Sequence, residues 1–150
     1  MTLKSDFSGL INMYKIIDEA PAVEYGYYDE PHHSGLNMAT LARIHEEGWN
    51  GLPARNFMFS AGIAARKQQQ KQVRLFIQAA AAKGKRNFKA LEEAGNIGVR
   101  TIKETIQNGN FSNPINAPDT AAIKGHNHAL IEQGELMEGA KAKLIGKTDK

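Results

Sequence analysis

The longest helical pattern in the sequence is FSAGIAARKQQQKQVRLFIQAAAA, residues 59–82. Alanine, glutamine, lysine and arginine dominate this stretch, and these residues lose little conformational freedom on entering a helix. An apolar stripe at helical spacing is expected to face the core. Its members are Ile63, Val73, Phe76, Ile77 and Ala80. We predict the longest helix of the protein here, with the other elements packed around it.

A second helical pattern follows after Gly84 and ends at Asn108-Gly109, a natural helix stop. Its apolar positions are Phe88, Leu91, Ala94, Ile97 or Gly98, Ile102 and Ile106. Gly95 and Gly98 weaken its middle, because glycine costs about 1 kcal/mol relative to alanine inside a helix. Either the two glycines permit close backbone approach in a tight helix pair, or they mark a bend.

Two further helices are predicted nearer the start of the chain. Residues 7–20 form an amphipathic pattern that Ser5 or Asp6 can cap and that Pro21 ends. The shared apolar face of this pattern is Leu10, Tyr14 and Ile17. A shorter helix is expected over Met38 to Glu47. Asn37 can cap this helix and Gly48 can end it. The side chains expected to share a face are Leu41, Ile44 and His45.

Strand signals flank these helices. Residues 22–28 alternate apolar and polar side chains, the two-residue period of a half-buried strand, and a turn at 31–35 follows. Residues 136–145 fit either a strand or a helix, and we favour a strand that pairs with 22–28. The intervening stretch 110–133 is mostly loop, with one short helix from Pro118 through Lys124.

These elements predict an α+β fold in which a small antiparallel sheet packs against several helices, one of them a long central helix or helix pair. The 150 residues are expected to form a single domain, 1–150, with a frayed end at 146–150. Hydrophobic residues make up 41% and charged residues 23%, which is ordinary globular usage. The sequence has no cysteine and no apolar run of signal-peptide or membrane-spanning length, so a cytoplasmic, non-membrane protein is expected.

The net charge of +3 is too small to indicate nucleic-acid binding, but the basic residues are concentrated in the middle of the chain. This basic cluster consists of Arg66, Lys67, Lys71, Arg74, Lys83, Lys85, Arg86 and Lys89. A cluster of this kind either contacts phosphates or is a solvated helix face. We favour the solvated face, because the only aromatic residues among these positions, Phe76 and Phe88, are expected in the core and not stacked on bases.

The histidines raise the question of a metal site. His45-Glu46 begins like the zinc-protease helix motif, but Trp49 stands where the second histidine is required. Two pairs of histidines lie in predicted loops, and their imidazoles could bind one metal ion together if the loops were close in space. These pairs are His32-His33 and His126 with His128. Loop histidines usually face water, so no metal or other cofactor is predicted, and no catalytic residue is assigned.

Two series of short motifs are more specific than any of these patterns. The first is IHEEG at 44–48 followed by LPARNF at 52–57; the second is NAPDT at 116–120 followed by KG, LI and GEL. The residues concerned are His45, Glu46, Gly48, Pro53, Ala54, Arg55, Phe57, Asn116, Ala117, Pro118, Thr120, Lys124, Gly125, Leu130, Ile131, Gly134 and Leu136. Each motif is either a subunit contact or a structural motif within one subunit.

In order and spacing, over residues 38–145, these motifs resemble the virion-morphogenesis or tail-completion proteins of tailed bacteriophages. Two departures occur: Asn56 stands where the family has a second proline, which should loosen that turn, and Glu132-Gln133 replace Asp-Thr. Pro53 would fix the backbone, Arg55 offers a planar five-donor fork and Phe57 an apolar anchor.

The resemblance implies a non-enzymatic protein of the virion neck, at the head-tail junction. Its partners would be copies of itself in a ring, the portal or adaptor proteins, and the tail terminator or tail tube, with genomic DNA passing through the ring. Such a protein is made and assembled in the host cytoplasm. The alternatives are a nucleic-acid-binding module that uses the basic cluster and, less favoured, a metal-dependent hydrolase that uses the histidines.

Overall fold

A computed structural model describes residues 6–109, Pro118, Ala122, Leu130 and 134–146. In chain order the elements are α1 (Ser8–Asp18), β1 (Ala22–Gly26), α2 (Met38–Glu47), α3 (Phe57–Lys83), α4 (Phe88–Asn108), α5 (Glu135–Glu138) and β2 (Lys141–Ile145). The predicted α+β class is confirmed: a long helix pair, α3 and α4, packs against a two-stranded antiparallel sheet.

Helices α3 and α4 form an antiparallel hairpin joined by residues 84–87. Gly84 ends α3 in the left-handed conformation, φ +55°, and its N–H donates to the carbonyl of Ala80 at 3.1 Å. Across the hairpin, the rings of Phe76 and Phe88 lie 6.1 Å apart between centroids. The predicted longest helix is therefore confirmed, and its partner is the second predicted helix.

The sheet pairs β1 with β2, so the strand interpretation of the C-terminal segment is confirmed for Lys141–Ile145. Residues 135–138 of that segment form the short helix α5 instead. Tyr25 is the register partner of Ala142 on the side of the sheet that faces α4. On the other side Glu24 opposes Lys143, a favourable cross-strand charge pair.

Gly95 and Gly98 of α4 allow the sheet to lie directly on the helix. A Cβ atom on Gly95 would stand 2.9 Å from the Cβ of Ala142, and one on Gly98 would stand 2.4 Å from the ring of Tyr25. Of the two interpretations left open, close approach is the one that the structure shows. What approaches is not a second helix: side chains of the sheet, from Val23, Tyr25 and Ala142, lie against this face of α4.

The buried side chains form two clusters, at opposite ends of the hairpin. The larger cluster joins α2, α3, α4 and α5 and consists of Met38, Ala42, Phe57, Ala61, Ile102, Ile106, Leu130, Leu136 and Ala140. The smaller joins α1 to the hairpin and consists of Ile16, Phe76, Ala80, Ala90 and Leu91. The hairpin thus carries the N-terminal helix at one end and the motif segments at the other.

The predicted helix limits are close to those observed. Helix α2 spans Met38–Glu47, as expected, with the Asn37 side chain accepting from the N–H of Thr40 at 2.7 Å. At the start of α1 the N-cap residue is Phe7, which makes no side-chain cap. Asp6, one of the two predicted caps, lies one residue earlier, and its carboxylate accepts from the N–H of Ser8 at 2.9 Å.

One predicted apolar face is wrong and another is wrong in part. On α1 all three predicted members are exposed, Leu10 at 56%, Tyr14 at 73% and Ile17 at 39%, because the helix rests on α3 through Ile16 instead. On α3 the predicted stripe is buried at Phe76 and Ala80 but exposed at Ile63, Val73 and Ile77. The inward face of α3 is completed by the small side chains of Ala61 and Ala65.

Some predictions lie outside the described residues. These are the loop at 110–117, most of the short helix expected from Pro118 through Lys124, and the frayed end at 147–150. Within that stretch Pro118 and Ala122 are helical and exposed.

Candidate functional site

The first motif series forms a compact turn that holds the end of α2 against the start of α3. The carbonyl of His45 accepts from the N–H of Arg55 at 2.9 Å, and the carbonyl of Glu46 accepts from the N–H of Asn56 at 3.3 Å. The residues that lead into α3 are therefore hydrogen-bonded to the last turn of α2. The intervening segment 48–54 is closed into a loop by these bonds.

Gly48 is required at the head of this loop. Its φ is +80°, a conformation that side chains rarely adopt, and a Cβ atom would lie 2.8 Å from both the nitrogen of Ala54 and the carbonyl oxygen of Leu52. Both neighbours are backbone atoms, so they cannot rotate away. Of the next two motif residues, Pro53 is half-buried and Ala54 is exposed.

Glu46 caps the N-terminus of α3 from a different helix. Its two carboxylate oxygens accept from the N–H groups of Met58, at 2.8 Å, and Phe59, at 2.9 Å. A carboxylate at this end of a helix satisfies donors that have no partner within the helix and also meets the positive end of the helix dipole. Asn56 precedes α3 with φ +47°, an angle that a proline ring prohibits. Asparagine, which tolerates this left-handed conformation, therefore suits the backbone at position 56.

Of the two motif residues suited to a partner contact, Phe57 lies in the core and Arg55 is partly exposed. The Phe57 side chain is completely buried and meets the Tyr27 ring edge-on, with 6.1 Å between ring centroids. Arg55 is half-buried, and burial lowers the pKa of its guanidinium. Of the two roles left open for the motif, these contacts support the one within a single subunit.

Removing the Glu46 carboxylate should measurably destabilise the fold. We expect Glu46→Ala to lower the free energy of unfolding by about 1–2 kcal/mol, because two N–H donors of α3 lose their acceptor. The matched control is Glu47→Ala, which removes the next carboxylate from an exposed pair with Arg43 and should cost less than about 0.5 kcal/mol. Chemical denaturation measures both, and equal effects would contradict the capping role.

The second motif series is described only in part. Leu130 and Leu136 are buried in the larger cluster, and Gly134 begins α5 with φ +78°. Pro118 is exposed. The other members lie outside the described residues: Asn116, Ala117, Thr120, Lys124, Gly125 and Ile131. Where the structure describes this series, its two leucines pack inside the subunit.

The basic cluster is exposed throughout. Helix α3 carries five basic residues, at positions 66, 67, 71, 74 and 83, and no acidic one. Lys67, Lys71 and Arg74 recur at helical spacing and share the side of α3 that faces away from α4. Arg86 differs from the others because it forms an ion pair with Glu19, which ties the α3–α4 link to the end of α1.

Two of the predicted histidines meet a carboxylate that the sequence did not indicate. His32 Nε2 lies 2.8 Å and His33 Nδ1 lies 2.6 Å from the same oxygen of Glu135. The hydrogen bond from His33 holds the pKa of the Glu135 carboxyl below its usual range. His126 and His128, the other predicted pair, lie outside the described residues. The sequence gives no sign of this contact, because Glu135 is 102 residues away from His33. Its neighbours Gly134 and Leu136 belong to the second motif series, but that series does not point to the histidines.

An apolar surface covers the side of α1 that faces away from the hairpin. It consists of Phe7, Leu10, Ile11 and Tyr14, which we call the α1 outer face; each is more than half exposed. Among the described residues of α1 itself, only Ile16 is fully buried. The helix therefore has an apolar side toward α3 and another toward solvent, whereas a surface helix of a monomer normally presents polar residues outward.

None of the helices in the described ranges is long and apolar enough to cross a membrane. No protein-family model, curated protein or solved structure matches this chain. The resemblance to tail-completion proteins therefore stays a prediction from the two motif series.

Proposed function

We propose that this protein is a structural component of a tailed-phage virion, a subunit of a ring at the head-tail junction that joins the head connector to the tail. The motif series carries the likeness to that family. The observation that carries the proposal is the α1 outer face, since it gives the subunit an apolar surface of the kind that assembly buries.

The α1 outer face fits a protein contact in both composition and position. Phe7 and Leu10, and likewise Ile11 and Tyr14, are three residues apart, and Phe7 and Ile11, and likewise Leu10 and Tyr14, are four apart, so the members form one continuous stripe along the helix. Monomeric proteins rarely leave contiguous apolar patches exposed, and patches that persist mark interaction sites. Full burial of a large apolar side chain contributes roughly 1.5–3 kcal/mol, so a few such residues suffice to anchor an interface.

The remaining features agree with a ring subunit. The turn at 44–57 and the Glu46 cap fix α2 to α3 within the subunit, so they supply a rigid body and not the contact itself. The exposed basic side of α3 suits a channel through which DNA passes, because lysine and arginine neutralise backbone phosphates. That side of α3 also favours the second candidate, a nucleic-acid-binding module, which requires the same charges but no ring.

Charge placed on the α1 outer face should weaken assembly without unfolding the subunit. We expect Leu10→Asp and Tyr14→Asp each to shift the protein toward monomer by at least roughly tenfold in association constant, because an aspartate at a buried contact is left unpaired. Sedimentation and light scattering measure the mass, alone and with the neighbouring ring proteins. Joining of purified heads and tails measures the function.

Lys15→Asp is the matched control, because it places the same new side chain on the polar side of the same helix. It should leave assembly unchanged. If the Leu10 and Tyr14 variants assemble and join heads to tails as well as this control does, the α1 outer face is not the contact and the proposal fails.

A further inference from the structure

The cluster of His32, His33 and Glu135 is a built feature and not a chance meeting of surface groups. The turn that carries the histidines is closed by a hydrogen bond from the N–H of His32 to the carbonyl of Leu36, 3.0 Å. The start of α5 is held beside it, because the Tyr27 hydroxyl donates to the carbonyl of Leu136 at 2.7 Å. Residues far apart in the chain are thus fixed opposite one another.

The ligand atoms of the three side chains converge on one point. His32 Nε2, His33 Nδ1 and a carboxylate oxygen of Glu135 all lie within 4.8 Å of one another. The His32 side chain is nearly buried, 7% exposed, whereas His33 and Glu135 remain open to solvent at 42% and 38%. We propose that His32, His33 and Glu135 bind a divalent transition-metal ion, best Zn²⁺, with water in the remaining position.

The distances suit such an ion with little rearrangement. Zinc holds imidazole nitrogen and carboxylate oxygen at about 2.0–2.2 Å in a tetrahedron, which sets neighbouring ligand atoms roughly 3.3 Å apart. The two histidine nitrogens now stand 2.8 and 2.6 Å from the Glu135 oxygen, so that oxygen would have to retreat by about half an ångström. Glu135 is the first residue of a short helix and is half-exposed, which allows this shift.

The donor set selects the class of metal. Two imidazoles and one carboxylate suit zinc and its neighbours, whereas magnesium and calcium prefer oxygen ligands throughout. Ser34 supplies the outer contact for His32: its hydroxyl lies 2.8 Å and its backbone nitrogen 3.1 Å from His32 Nδ1. In the metal-free protein the backbone N–H of Ser34 donates to Nδ1 of His32. If Nε2 binds metal, Nδ1 carries the proton and donates it to the Ser34 hydroxyl, and the Ser34 N–H must find another acceptor such as water.

Metal binding would clamp the turn after β1 to the helix before β2, across a sequence separation of 102 residues. Both segments flank the two-stranded sheet, whose strands are each five residues long. An isolated two-stranded sheet is only marginally stable. A metal ion that ties together the two segments at one end of this sheet would therefore stabilise the fold. This role is independent of the assembly contact on α1.

Calorimetric titration of untagged, chelator-treated protein with ZnCl₂ tests the site. We expect one Zn²⁺ per chain, a raised melting temperature on binding, and no comparable effect of MgCl₂. His33→Gln and Glu135→Gln should each weaken Zn²⁺ binding roughly tenfold or more. Glu138→Gln is the matched control: it removes the other carboxylate of the same short helix, which pairs with Lys103, and should leave Zn²⁺ affinity unchanged.

A second measurement does not depend on the variants folding. Imidazole NMR of the unmodified protein should show Zn²⁺-dependent shifts of the His32 and His33 resonances at one equivalent. If instead no Zn²⁺ binds, or the His126 and His128 resonances shift alone, or His33→Gln and Glu135→Gln bind as tightly as Glu138→Gln, the assigned site is wrong.

Discussion

Replacing Phe57 by alanine is expected to lower the free energy of unfolding by about 3–5 kcal/mol. Phe57 is completely buried at the first residue of α3, where its ring packs edge-to-face with Tyr27. Alanine would leave a cavity in the larger cluster, because the surrounding elements can collapse only in part. Since most domains are stable by only about 5–15 kcal/mol, this one change removes a large share of the total.

Phe59→Ala is the matched control for that experiment. Phe59 lies two residues further along the same helix but is 67% exposed, so its removal should cost less than about 1 kcal/mol. Guanidinium denaturation measures the free energy of unfolding of both variants. The dependence of that free energy on denaturant concentration should be unchanged in both. If the two phenylalanines cost the same, the described packing of the larger cluster is wrong.

A loss of assembly in Phe57→Ala would not identify Phe57 as an interface residue. Taken from sequence alone, Phe57 is a candidate anchor at a subunit contact. In the structure it is a core residue, so its alanine variant would lose assembly through unfolding. Leu10 and Tyr14 are the informative positions, because both are exposed and neither is part of either buried cluster.

The second large effect is expected at Gly98. We expect Gly98→Ala to destabilise the protein by about 1–3 kcal/mol, even though alanine is the better helix former by about 1 kcal/mol. The added methyl would stand 2.4–2.6 Å from three atoms of the Tyr25 ring, including its innermost carbon. That part of the ring cannot swing away, so the sheet must move off α4.

Gly62→Ala provides a control that touches the same tyrosine. A Cβ at Gly62, within α3, would lie 3.9 Å from the Tyr25 hydroxyl, an ordinary contact, so alanine should be neutral or stabilising by up to about 1 kcal/mol. Thermal unfolding of both variants compares them. If Gly98→Ala is as stable as Gly62→Ala, the sheet does not rest on α4 as described.

Much of the secondary structure follows from residues close together in the sequence. The Asn37 cap, the Gly48 stop and Gly84 all act within one turn of helix, and each predicts an observed boundary. The alternation at 22–28 likewise predicts β1. These features are readable because hydrogen bonds within an element join near neighbours.

The candidate site was predicted less completely. The basic cluster is exposed, as both the solvated-face and the phosphate-binding interpretation require, and the 44–57 motif is a folded turn. The capping of α3 by Glu46 and the pairing of Glu135 with His32 and His33 were not foreseen. In each case the two partners belong to different elements, and no residue spacing in the sequence indicates that these elements lie close together in space.

By itself, then, the sequence determined helices α1 to α4 and strand β1, where most of them end, and that a long central helix or helix pair would dominate the fold. It left residues 136–145 open between strand and helix and did not predict α5. Only the tertiary structure decided which side of each helix is inside. Helix α1 carries apolar residues on two sides, and periodicity cannot choose between them. The choice depends on which side meets Phe76 and Ala80 of α3. It leaves Leu10 and Tyr14 facing outward, because packing is a contact between distant segments and a repeat along one segment does not specify it.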